Sequence, residues 1–154
     1  MEIYLSAPLF TQAERRWNRQ LAAGLEARIA GAHVILPQDF KFGQSYNDPR
    51  DFPLLYRACM DGIRKADIMV AVLDGPDVDS GTALEMGVAL ARGIPIIGVR
   101  TDYREGQERG VNLIVARSCT QVLREMSFGE DLDQLVDDLA GKIVAALKHS
   151  SGSR

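Results

Sequence analysis

Histidine and cysteine are scarce in this chain of 154 residues, with two of each. His33 and His149 are the only histidines, which argues strongly against a histidine-based metal site or a Ser-His-Asp triad. Cys59 and Cys119 are isolated and form no Cys-x-x-Cys pair. That argues against a disulfide framework and for a reducing, cytoplasmic setting. There is no run of five basic residues, and the formal net charge is −3, so no nucleic-acid partner is expected. No apolar run approaches the roughly 18 to 20 residues of a membrane span, and no membrane partner is expected. The opening "MEIYLSAPLF" lacks the cationic start and the apolar length of a secretory signal.

What is present is an ordinary globular composition, 46% hydrophobic and 25% charged, in a chain of one-domain size. Residues 1–148 read as a single domain and 149–154, small and polar, as a disordered tail. Ile3 to Leu5 predict a first strand. Thr11 and Glu14 then form a capping-box pattern ahead of Trp17, Leu21, Leu25 and Ile29, an amphipathic helix stopped at Gly31. "HVILP" predicts a second strand. The long, turn-rich "QDFKFGQSYNDPRD" follows, and loops of that length are commonly functional. A helix over Phe52 to Lys65 carries Phe52, Leu55, Cys59 and Ile63 on one face. Strand "IMVAVL", a helix ending near Arg92, strand "IPIIGV", a segment around "VNLIV" and a fifth strand at "TQVL" come next. Asp131 to Leu147 close the domain as a helix striped by Leu132, Leu135, Leu139, Ile143 and Leu147.

Strands that are apolar on both faces and alternate with helices predict a parallel sheet covered on both sides. The expected fold is an α/β flavodoxin-like, doubly wound three-layer sandwich with five parallel strands in the order 2-1-3-4-5. Its crevice would lie beyond the carboxyl ends of strands one and three, where the winding reverses.

Four carboxylates follow the third strand within "DGPDVDSGTALEMG": Asp74, Asp77, Asp79 and Glu85. Three readings fit them. Oxygen ligands suit Mg²⁺ or Ca²⁺, but the spacing is not that of a calcium loop and no phosphate-binding Gly-Lys-Ser/Thr accompanies it. A pair of carboxyl groups can serve a glycosidic carbon, one as nucleophile and one handling the leaving group's proton. A purely structural reading makes Thr82-x-x-Glu85 a capping box and Asp79 or Ser80 an N-cap.

With "IYLSAPLFTQAERRWN", "DGPDVDSGTALEMGVALARGIPII" and "VNL" in order, the chain resembles the nucleoside 2-deoxyribosyltransferase family from Ile3 to about Leu113. The resemblance implies transfer of 2-deoxyribose between nucleobases through a covalent glycosyl-enzyme, without metal or cofactor. It implies Glu85 as nucleophile, Tyr4 as the residue that orients it, and Asp79 near sugar and base. Asn112 falls on an asparagine that reaches a neighbouring subunit's site, so a homo-oligomer of at least two chains is expected. Gln38 and Asp39 fall in the nucleobase-facing loop, and Phe10, Asp74 and Gly81 within the matching blocks complete the substrate-binding candidates. Cys59 stands where relatives carry an aspartate or asparagine serving the base, and Ile114 where some carry methionine. The partners implied are 2′-deoxynucleosides and free nucleobases. The rival reading is a 2′-deoxynucleoside 5′-monophosphate N-glycosidase, with Ser118 as a possible phosphate contact. "SAPLFT", poor in donors, favours a neutral 5′-hydroxyl instead. A non-catalytic nucleoside-sensing module is a third reading.

Overall fold

In the computed structural model, residues 1–41, 48–105, 110–125 and 132–151 are described, with side chains through 148. Residues 42–47 of the turn-rich loop, 106–109 of the polar loop "RTDYREGQERG" and the segment 126–131 lie outside the described residues. Five strands, β1 (Glu2–Ser6), β2 (His33–Ile35), β3 (Ile68–Val72), β4 (Ile96–Arg100) and β5 (Gln121–Arg124), form one parallel sheet. Their order is β2-β1-β3-β4-β5, as the alternation of elements predicted. Four α-helices connect them, α1 (Gln12–Arg28), α2 (Phe52–Lys65), α3 (Ser80–Ala91) and α4 (Leu113–Ser118), and α5 (Leu132–Ser151) follows β5.

Each strand sends alternate side chains to opposite faces. Ile3, Leu5, Ile68, Val70, Val72, Ile97 and Val99 pack with Leu21 and Leu25 of α1 and with Leu135, Leu139 and Ile143 of α5. Tyr4, Met69, Ala71, Leu73 and Ile96 pack with Met60 and Ile63 of α2 and Met86 and Ala89 of α3. The core is therefore two apolar layers, one on each side of the sheet. Only α1 connects β1 outward to β2, whereas the later crossovers run the other way, toward β5. Right-handed crossovers in opposite directions put their helices on opposite faces. The winding reverses between β1 and β3, so the crevice opens at the carboxyl ends of those two strands.

The capping box of α1 is present: Thr11 Oγ1 accepts from the Glu14 amide and the Glu14 carboxylate accepts from the Thr11 amide at 2.7 Å. Three elements differ from expectation. "VNLIV" leads into the short helix α4, because Asn112 Oδ1 accepts from the Ile114 amide and caps it. Phe52, expected on the apolar face of α2, is 51% exposed, while Leu55 and Cys59 of the same stripe line a cavity. Helix α5 runs to Ser151, through residues 149–151 of the expected tail, while 152–154 lie outside the described residues. Among the described residues no helix is long and apolar enough to cross a membrane.

Candidate active site

Tyr4 and Ser6 are two residues apart on β1, so both side chains leave the same face of the sheet, the one that α3 covers. There they meet Glu85, on the second turn of α3. The Tyr4 hydroxyl donates to Glu85 Oε1 at 2.7 Å and the Ser6 hydroxyl to Oε2 at 2.5 Å. Tyr4 and Ser6 are fully buried. The carboxylate thus has one hydroxyl donor on each oxygen, which fixes its plane. It also lines a cavity of about 280 Å³ together with Ala7, Leu9, Phe10, Pro37, Leu55 and Cys59, and with Asp79, Gly81 and Thr82 at the start of α3. The cavity sits at the reversal of winding, where the topology places it.

Burial raises the Glu85 pKa above the ordinary carboxylate range, the two hydroxyl donors pull it down, and the negative charge of Asp79 adds to the rise. Burial and the neighbouring Glu85 likewise push the Tyr4 phenol up, so it stays a hydrogen-bond donor. Burial pushes the Cys59 thiol up to about 11, with Glu85's charge assisting, so the wall beside Glu85 is a neutral thiol. Cys119, under α4 and outside this cavity, is also raised to about 11 by burial. Both thiols are expected to react with iodoacetamide more slowly than free cysteine at pH 7, accelerating as pH climbs toward 11. Site-resolved mass spectrometry checks this, and fast labelling of Cys59 at neutral pH would contradict it.

The structural reading of the acidic stretch holds for Asp79 and fails for Glu85. Asp79 is the N-cap of α3, its Oδ2 accepting from the Thr82 amide at 2.9 Å. Thr82 is therefore inside the helix and cannot cap it, and Glu85, three residues on, turns to β1 instead. Gly81 has a local reason: a Cβ there would stand 3.0 Å from the capping Asp79 oxygen.

The other carboxylates do not converge on this cavity. Asp74 accepts from the Thr101 amide at 2.6 Å, its hydroxyl at 2.5 Å and the Asp102 amide at 3.0 Å, tying the ends of β3 and β4 together. Asp77 accepts from the Val78 amide and lines a separate cavity. Among the described residues, no group of three or more His, Cys, Asp or Glu is placed to hold a metal ion.

Of the remaining candidates, Phe10 and Cys59 line the Glu85 cavity. Gln38 does not: it is buried, its Nε2 donating to the Arg15 carbonyl at 2.9 Å and its Oε1 accepting from Asn18. Asp39 is on the surface, paired with Arg19 at 3.5 Å. Asn112 is exposed and lines the second cavity, of about 360 Å³, with Asp77, Arg100 and Val111. Ser118 donates back to the Ile114 carbonyl at 2.8 Å, inside α4.

Two residues escaped the sequence reading. Ser6 was visible as a small polar residue two positions after Tyr4 in an otherwise apolar strand, and that spacing was the available signal. Arg100 offered none, because it ends a strand that reads as apolar. It is 2% exposed, and its Nη1 donates to the carbonyls of Leu73 at 2.5 Å and Gly75 at 2.8 Å, pinning the start of the acidic loop.

The sequence model of the family described as nucleoside 2-deoxyribosyltransferase matches residues 3–133. A nucleoside deoxyribosyltransferase of Limosilactobacillus fermentum is 27% identical over 136 residues, covering 82% of this chain and 81% of its own. Among solved structures, a conserved protein of Enterococcus faecalis V583 superposes with a TM-score of 0.73 at 25% identity, covering 95% of this chain and 98% of its own. A 2-deoxyribosyltransferase of Bacillus psychrosaccharolyticus superposes at 0.75 with 19% identity and 96% of both chains, which speaks for the fold. The match over most of its length, on a flavodoxin-like sheet with a glutamate at the winding reversal, makes this chain a member of the nucleoside 2-deoxyribosyltransferase family, a pentosyltransferase.

Proposed function

We propose that this enzyme moves 2-deoxyribose from a 2′-deoxynucleoside to a free nucleobase through a glycosyl ester on Glu85, with net retention. The observation that carries this reading is the Glu85 carboxylate, held by Tyr4 and Ser6 and facing a mostly apolar cavity. A carboxylate oxygen attacks C1′ as the C1′–N bond breaks, and the departing base takes a proton. Asp79, on the same cavity, is the carboxyl group proposed to serve that proton. The incoming base then attacks C1′ and gives up its ring N–H proton to Asp79, the ester bond breaks and Glu85 returns as the carboxylate. Two inversions at one carbon give retention.

The two hydroxyls that orient Glu85 leave it ionisable in a mostly apolar site, which is what attack on an anomeric carbon requires. The apolar wall of Ala7, Leu9, Phe10, Pro37 and Leu55 suits the flat faces of a base. No residue lining the cavity among those described carries a positive charge, which favours a neutral 5′-hydroxyl over a phosphate. Exposed Leu84 and Leu90 on α3, with Leu113 and Ile114 on α4, support assembly of at least two chains, which would put the exposed Asn112 near a neighbour.

The test is base exchange. Deoxyinosine with free adenine is expected to give deoxyadenosine and hypoxanthine, with little base released when adenine is left out. Release of adenine from dAMP without any exchange would establish an N-glycosidase instead, and binding without turnover a sensing module. Deoxynucleoside is further expected to protect Cys59, and not Cys119, from alkylation.

A further inference from the structure

Glycine inside a helix destabilises it relative to alanine, so Gly62, three residues before the end of α2, needs a reason. Its φ is ordinary, so backbone conformation does not supply one. The reason is proximity. The crossover from β2 to β3 carries α2 over β1, onto the face where Tyr4 points. A Cβ at Gly62 would stand 2.9 Å from Tyr4 Cε2 and 3.1 Å from Cδ2, and 3.1 Å from Cγ2 of Ile35, the residue in register with Tyr4 on the next strand. Real Cβ atoms essentially never come within 3.0 Å of such an atom, and contacts of 3.1 Å are tighter than nine in ten. The atoms it would meet are not the loose ends of flexible chains: Tyr4 is fully buried and Ile35 is 9% exposed.

The geometry points to Gly62 as a positioning residue for the transfer reaction: its missing side chain lets the Tyr4 ring lie where its hydroxyl reaches Glu85. Gly62 touches no substrate; it acts through Tyr4. A methyl group there must push the ring away from α2 or lift α2 off the strand, and a hydrogen bond of 2.7 Å tolerates neither. The kinetic consequence rests on the transferase reading. The structural consequence, a change at the Glu85 carboxyl, does not.

Gly62→Ala is the test, read two ways. With ¹³C-carboxyl-labelled glutamate, assigned by comparison with Glu85→Gln, the Glu85 titration is expected to move to higher pH in Gly62→Ala, in the direction that Tyr4→Phe moves it. In base exchange, kcat is expected to fall about tenfold with KM changed less than about twofold. Tyr4→Phe/Gly62→Ala is expected to be no slower than Tyr4→Phe, since without the hydroxyl the ring's position no longer matters. A Glu85 titration identical to wild type, or a fall that multiplies in the double variant, overturns the assignment. If Gly62→Ala alone does not fold, Gly62→Ala/Ile35→Ala, which vacates the contact on the β2 side, is compared with Ile35→Ala by the same two readings. A wild-type protein that turned over no deoxynucleoside would sink the transferase reading while leaving the carboxyl titration to decide on Gly62.

Discussion

Glu85→Gln is expected to lose activity by about a thousandfold or more while the protein becomes no less stable. The first half follows from the proposed role: an amide of the same shape cannot form the glycosyl ester, and loss of a nucleophile costs orders of magnitude in rate. The second half follows from linkage. The folded-state pKa of Glu85 is raised, chiefly by burial. A group raised on folding adds stability below its unfolded pKa, near 4.3 for glutamate, and loses that contribution as pH rises through the folded value. At neutral pH the ionised carboxylate is therefore a cost that glutamine does not carry. The variant should melt at an equal or higher temperature than wild type at pH 7 to 8, and the difference should shrink below about pH 4. A lower melting temperature at neutral pH together with retained exchange would mean that Glu85 is a structural residue of α3 and that the chemistry lies elsewhere.

Removing the two hydroxyls that hold Glu85 should give the next largest effect, through the same group. A hydrogen bond to a charged partner contributes about 1.5–3 kcal/mol, and each ~1.4 kcal/mol is tenfold in rate. Tyr4→Phe and Ser6→Ala are each expected to lower kcat/KM about tenfold to a hundredfold at pH 7. Both donors lower the Glu85 pKa, so either loss raises it further. The acid limb of the kcat/KM profile, where activity falls as Glu85 takes up a proton, should accordingly move to higher pH in both variants. At alkaline pH part of the loss should be recovered. Because the two donors serve one carboxylate, the double variant should fall short of the product of the single effects. Profiles that drop uniformly, with the limb unmoved, would instead assign these hydroxyls to packing alone.

Fold and site were legible to different depths. The strands were read from apolar runs and the helices from their stripes, because period and alternation are local properties of the chain. The sheet order then followed from crossover handedness. Glu85 and Tyr4 came from the resemblance, and Asp79 could be read both as cap and as site residue. The four acids looked like one cluster because they are close in sequence. In space they part company, since Asp74 turns to the amides of β4 and Asp77 faces a second cavity, leaving Asp79 and Glu85 at the crevice. Gln38 and Asp39 lay in the right loop, yet one is spent on α1 and the other on Arg19.

What the sequence determined by itself is the alternation of elements, the capping box that starts α1, and the two carboxylates set at the start of α3. Each of these depends on neighbours within a few residues. Only the tertiary structure decided that Ser6 is the second hand on Glu85, that Arg100 anchors the acidic loop, and that Gly62 makes room for Tyr4. Those three contacts join residues 79, 27 and 58 positions apart, and such pairings exist only once the sheet has formed and a helix has been laid across it.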